Sequence, residues 1–272
     1  MSEQFRLQIP DVMGYEVKYY FSETPTEYPP RVFPFHLHDQ LELYVLLEGD
    51  VSFAVESSLY KLSPGDAIVT RPNEMHNCIL NRQSVHKHLC FWFDASSNFL
   101  FEAFLSHEFG KNNLICLDEE GKRMLPPLLS SLREASEAGD VHAQYYRTLE
   151  LLHLYRRFAK GETKEESLPP LLRQILADID ANFCTLRSMQ YFTEKYYVST
   201  STLGRLFRTH LHTSPRRYLE TKRLAYSRLL LREGRTVQDA CMSAGFPDYS
   251  NYIRTFKRHF GMTPGQYRST GK

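Results

Sequence analysis

Residues 245–268 read GFPDYSNYIRTFKRHFGMTPGQYR, and they say more about the architecture than any other stretch. Gly245 supplies a turn, and past Phe246 and Pro247 a helix is expected to open near Asp248 or Ser250. Tyr249, Tyr252, Ile253, Phe256 and Phe260 recur at three- and four-residue steps, which puts them on one buried face, and Gly261 ends the run. The outward positions include Ser250, Asn251, Arg254, Lys257 and Arg258, donors suited to base edges and phosphates. Upstream, Thr236 can cap a helix with Asp239 three positions on, and Val237, Ala240, Cys241 and Ala244 form its apolar stripe. Two short helices joined at a glycine turn make the unit that places its second helix in a major groove.

A spacing of 49 residues aligns FRTHLHTSPRRY, from Phe207, with FKRHFGMTPGQY, from Phe256. The match pairs Ser201 with Ser250, Arg205 with Arg254, His210 with His259, Pro215 with Pro264 and Tyr218 with Tyr267, so the unit is duplicated. In the first copy a helix capped at Ser188 is expected to run through Met189 and Phe192 to Val198. A second, capped at Ser199, buries Leu203, Leu206 and Phe207 and exposes Ser201, Gly204, Arg205 and Arg208. Pro215 then begins a long helix offering Tyr218, Leu219, Leu224, Leu229 and Leu230 for packing. Held apart by such a helix, two recognition helices can enter successive major grooves about 34 Å apart. Ordinary helical hairpins with solvated arginines are the plainer alternative; two matched copies argue against it.

Charge divides the chain the same way. From residue 168 to 272 there are 17 Lys and Arg against 7 Asp and Glu, a net of +10; the remainder has 16 against 25, a net of −9. A basic domain on a nearly neutral chain points to a polyanionic partner. A 272-residue chain with 42% hydrophobic and 24% charged residues has the balance of a two-domain globular protein. No signal-like or membrane-spanning run is present, so a cytoplasmic, membrane-independent protein is expected. Five cysteines without a C-x-x-C pair read as reduced packing residues.

The N-terminal half has a different texture. Short apolar or alternating runs at Leu41–Leu47, Val51–Val55, Ala67–Val69 and Leu89–Phe93 are broken by turns at Gly49-Asp50 and Pro64-Gly65-Asp66. Strands of this length suggest a double-stranded β-helix or jelly-roll barrel with room for a small molecule. Its chemistry gathers in His36, His38 and Glu42, spaced H-x-H-x-x-x-E, and in His76, eleven residues after Gly65. His86 and His88 alternate with Cys90 and with Trp92, which can stack on a sugar ring or fill the core, the latter being the simpler reading.

These residues carry two resemblances. GFPDYSNYIRTFKRHFGMTPGQYR is similar, nearly position for position, to the terminal signature of AraC/XylS-type transcription regulators, a resemblance that covers about residues 171–268. It implies that Ser201, Gly204 and Arg205, with Ser250, Asn251 and Arg254, face base edges. The first copy departs from the pattern at Thr193, at Tyr197 and His212 in place of turn glycines, and at Gly204, leaving open whether that unit reads bases or only phosphates. FHLHDQLELYVLLEGDVSFAV and LSPGDAIVTRPNEMHN resemble the cupin fold of AraC-type sensor domains, over about residues 15–95. In metal-binding cupins the positions of His36, His38, Glu42 and His76 are ligands, and such a set suits zinc, iron, manganese or nickel. Polar contacts to a metal-free ligand, or purely structural roles, remain alternatives. The resemblance also puts His88 against a sugar in related barrels. Asn73 and Arg71 replace a glycine and a proline of the second motif, and Asn tolerates a left-handed backbone.

Residues 96–160 are expected to be helical, with Phe99, Phe101, Phe104 and Phe109, a helix start at Pro126-Pro127, and a stripe through Leu149 and Leu152 that serves a homodimer or packs on the barrel. The expected plan is therefore a multidomain α and β chain: a cupin barrel over 1–95, a helical extension over 96–160, a linker over 161–170, and an all-α domain of two helix-turn-helix units over 171–272. Its expected function is sequence-specific binding of double-stranded DNA, controlled by a small-molecule effector, by resemblance a sugar or related metabolite. RNA polymerase is a further partner if the chain activates, and no cofactor is required. The alternatives are a cupin-type metalloenzyme, an isomerase or dioxygenase with a helical appendage, and a DNA-binding protein whose barrel only dimerises.

Overall fold

The structure, a computed structural model, describes residues 5–9, 17–25, 35–38, 40–82, 85–93, 108–160, 165–166 and 168–269. Two compact units emerge, one of Met1–Phe33 with His38–Glu166 and the other of Pro34–Leu37 with Ser167–Lys272.

In the first unit the strands are β1 (Phe5–Ile9), β2 (Val17–Pro25), β3 (Leu41–Glu48), β4 (Val51–Val55), β5 (Ser58–Leu62), β6 (Ala67–Thr70), β7 (His76–Leu80), β8 (Val85–Phe93), β9 (Leu114–Leu117), β10 (Ala159–Lys160) and β11 (Glu165–Glu166). Every pairing is antiparallel, in two sheets ordered β1-β2-β8-β3-β6-β9-β10 and β11-β5-β4-β7, as a cupin barrel requires. The alternation in LELYVLLE now has a cause. Leu41, Leu43 and Val45 join Leu89, Phe91 and Phe93 in a core shared with two helices, whereas Tyr44 and Leu46 join Phe53, Tyr60 and Cys90 between the sheets. Both faces of β3 are buried, so only the polarity of Glu42 marks the inner one. The backbone supports the reading of Asn73, whose φ is 67°.

The two helices are α1 (Glu119–Glu137) and α2 (Val141–Arg157), capped by Asp118 on Gly121 N–H and by Asp140 on Ala143 N–H. The expected start at Pro126-Pro127 is wrong: both prolines lie inside α1, because the Asp118 cap and two acidic residues in the first turn begin the helix earlier. The expectation that 96–160 is helical also needs correction, since Leu114–Leu117 is strand β9, paired with β6. Phe109 is exposed, and Phe99, Phe101 and Phe104 lie outside the described residues. The Leu149–Leu152 stripe is used within the unit, packed with Leu128, Leu132 and Tyr155 against β3 and β8. Part of the expected linker, Glu165–Glu166, pairs with β5.

In the second unit the helices are α3 (Pro170–Asn182), α4 (Gln190–Lys195), α5 (Thr200–Leu211), α6 (Pro215–Arg232), α7 (Val237–Ser243), α8 (Tyr249–Phe260) and α9 (Pro264–Ser269). Side-chain caps at Ser199, Ser214, Thr236 and Asp248 open α5 to α8, each accepting a backbone N–H three residues on. The helix expected from Ser188 to Val198 is shorter, with Met189 at its N-cap position, although Ser188 Oγ still accepts from Gln190 N–H at 3.1 Å. Tyr252, Phe256, Phe246 and Tyr267 form the core of the second copy with Leu224 and Leu231 of α6. Arg223, buried on α6, donates to the carbonyls of Phe183 and Leu186 and so satisfies backbone acceptors beyond the end of α3. Among the described residues no helix is long and apolar enough to cross a membrane.

Candidate nucleic-acid interface and barrel site

In the second copy, burying Tyr252 and Phe256 rotates Ser250, Arg254, Lys257 and Arg258 into solvent and leaves Asn251 half-buried. Tyr249, expected on the apolar face, is instead 50% exposed, one turn ahead of the buried Tyr252. Arg258 donates to Glu220 of α6 at 3.1 Å, so it is held along the side of the helix. Gly261, at φ 75°, closes α8 with its N–H on Lys257 O.

The first copy keeps this geometry despite its sequence. Tyr197 and His212, standing where glycines were expected, take left-handed φ of 51° and 50°. Ser201, Arg205 and Arg208 are exposed, as expected. Gly204 is not: it is buried, and a Cβ there would lie 3.1 Å from a guanidinium nitrogen of Arg208. With no side chain at 204, Arg208 folds back across the helix and covers the backbone that was to face a base.

In the barrel, Glu42 on β3 and His76 on β7 are buried and His38 is half-buried, while His36, the fourth expected ligand, lies in the Pro34–Leu37 segment grouped with the second unit. Glu42 Oε2 is 2.7 Å from His38 Nε2 and 3.5 Å from His76 Nε2. Each ring is oriented from behind by a backbone carbonyl 2.9 Å from Nδ1, that of Gln40 for His38 and that of Glu74 for His76. A carbonyl only accepts, so both Nδ1 atoms carry protons and both Nε2 atoms face the carboxylate, the backing arrangement of metal-binding histidines. Burial alone would raise the Glu42 carboxyl, but its hydrogen bonds and charge interactions with His38 and His76 hold it well below the usual carboxylate range. Burial likewise opposes protonation of His76, and Glu42 outweighs it, raising that imidazole. Two imidazoles against an ionised carboxylate make a donor set that fits a divalent cation.

Trp92 is a site residue that the sequence reading assigned to the core. Its Nε1–H donates to Glu42 Oε2 at 3.0 Å, a tie set by the pairing of Glu42 opposite Trp92 in the β3–β8 ladder, which no local sequence pattern announces. Along β8, His86 lies 2.6 Å from the Tyr44 hydroxyl, and His88 stacks on Tyr44 at 5.0 Å and on His86 at 4.5 Å. Burial brings His86 down to about 4, and burial with the charge of His86 brings His88 down to about 3, so both are neutral rings.

A capped pair of helix-turn-helix units in a basic unit, with a cupin barrel beside it in the sequence, defines a DNA-binding transcription regulator. Residues 192–270 match a helix-turn-helix domain family and residues 26–91 a cupin domain family. Together the two matches give the domain order of the AraC-type regulators, which the chain resembles. It is 26% identical over 261 residues to the HTH-type transcriptional activator RhaS of an Enterobacter species, covering 88% of this chain and 89% of that protein. Against the virulence regulon transcriptional activator VirF of Yersinia enterocolitica it is 26% identical over 262 residues, covering 90% and 94%. A solved structure of ToxT from Vibrio cholerae spans 96% of this chain and 98% of its own at 12% identity, with a TM-score of 0.38. Relatives that are regulators and not enzymes set aside the isomerase or dioxygenase alternative.

Proposed function

We propose that α5 and α8 read duplex DNA, with Ser201, Arg205 and Arg208 on the first and Ser250, Asn251 and Arg254 on the second, Lys257 and Arg258 serving the backbone. The observation that carries this is the exposure of matched arginines, Arg205 and Arg254, at equivalent positions of two capped helices 49 residues apart. Gly204 is left out, since Arg208 covers it. The activators among its relatives support activation, with RNA polymerase as a further partner. A homodimer would use a surface other than the Leu149–Leu152 stripe, which the barrel covers.

For the effector, the donor set supports a divalent cation held by His38, Glu42 and His76. Bound there, it would supply charge neutralisation for a buried carboxylate and would tie β3 to β7. A sugar has less support, because His88, the position to face it, is stacked on Tyr44.

Mobility shifts on a duplex selected from a random pool, and on single mismatches, test the DNA reading. Arg254→Ala is expected to lose about 1–3 kcal/mol of discrimination at one position, whereas Lys257→Ala weakens all duplexes alike. Unchanged discrimination in the Arg254 variant refutes base reading by α8.

A further inference from the structure

The second unit has a concave surface that base reading does not use. A pocket of about 440 Å³ lies where the N-terminal turns of α6 meet the C-terminal end of α8, lined by Ser214, Arg216, Arg217 and Glu220 on one side and Arg258 and His259 on the other. Three arginines thus face one carboxylate, and that carboxylate, Glu220, is already engaged by Arg258 at 3.1 Å. Arg216 and Arg217 are exposed in the first turn of α6, where the helix dipole also favours an anion. The positive potential shows in His259: burial first, then the charges of Arg228, Arg217 and Arg258, bring it down to about 4.

We propose that this pocket binds a phosphate group, supplied by the DNA backbone flanking α8 or by a free phosphorylated small molecule. Guanidinium pairs match phosphate oxygens in two-point geometry, and an anion is the partner that relieves repulsion among converging cations. The backbone source rests on the DNA reading above; the free source does not.

The test uses the full chain and the Arg216→Ala/Arg217→Ala variant, with Arg216→Ala alone as the substitute if the pair fails to fold. Thermal unfolding is followed in potassium phosphate and in potassium chloride at equal ionic strength, and duplex binding is followed from about 50 to 200 mM salt. For a backbone phosphate, the variant weakens matched and mismatched duplexes equally, and its affinity falls about three- to fourfold less across that salt range for each phosphate it no longer neutralises. For a free phosphate, inorganic phosphate raises the melting temperature of the wild type and not of the variant, while the salt dependence stays the same. A folded variant that keeps both the phosphate shift and the full salt dependence overturns the proposal. Failure of base reading would appear elsewhere, as discrimination that survives Arg254→Ala.

Discussion

At single residues the backbone decides what the side chain can be. Gly245 has φ +81°, and a Cβ built on it would lie 2.0 Å from the carbonyl oxygen of Cys184, a clash with backbone that no rotamer relieves. Gly234 has nearly the same φ, +84°, with nothing within 4 Å. The pair separates conformational strain from steric exclusion. Gly234→Ala is expected to lose about 1 kcal/mol from left-handed strain alone, and Gly245→Ala more than about 3 kcal/mol from strain plus displacement of the Cys184 segment. Urea unfolding of both variants measures the difference, and equal losses would show that the Cys184 segment yields freely. Tyr197 and His212 accept the same strain without glycine, about 1 kcal/mol each. The sequence therefore announces the second turn through Gly245 and hides the first, although the two units share one geometry.

Among the elements, legibility followed the presence of local signals. The second copy could be read almost throughout, because Thr236, Asp248 and Gly261 mark its boundaries and one face is apolar at helical spacing. Strands β5 and β7 were missed: SLYKL and HNCIL are five residues each, and their burial comes from pairing on either side of β4, which no local pattern encodes. His76 was found for its spacing from Gly65, yet Trp92 was assigned to the core because its tie to Glu42 depends on the β3–β8 register. Pro126-Pro127 misled by a sound rule. Prolines favour a first turn, but here they sit inside α1, where Leu125, Leu128 and Leu132 are buried against the barrel and offset the lost hydrogen bonds. If tertiary packing overrides local cost in this way, Pro127→Ala should stabilise the protein by about 2 kcal/mol, the interior-proline penalty less the entropy regained by the unfolded chain. A melting temperature that falls instead would mean the proline ring itself is needed in the packing.

On the scale of the whole molecule, an acidic half with the barrel chemistry and a basic half with the paired helices can form one regulator only if ligand and DNA affect each other's binding. Trp92 makes that measurable, since it is the single tryptophan of the chain and hydrogen-bonds to Glu42. Nickel(II) titrated into the full protein should change its emission, and Glu42→Gln should weaken the response about 10–100-fold. Linkage then fixes a relation that needs no knowledge of the route between the sites: whatever factor nickel(II) applies to the affinity for a selected duplex, saturating duplex must apply to the affinity for nickel(II) read at Trp92. A regulatory coupling is expected at about 5–150-fold in both directions. Unequal factors would place the ion that alters DNA binding at some other site, and a factor of one in both directions would leave a metal-binding barrel that is not the sensor.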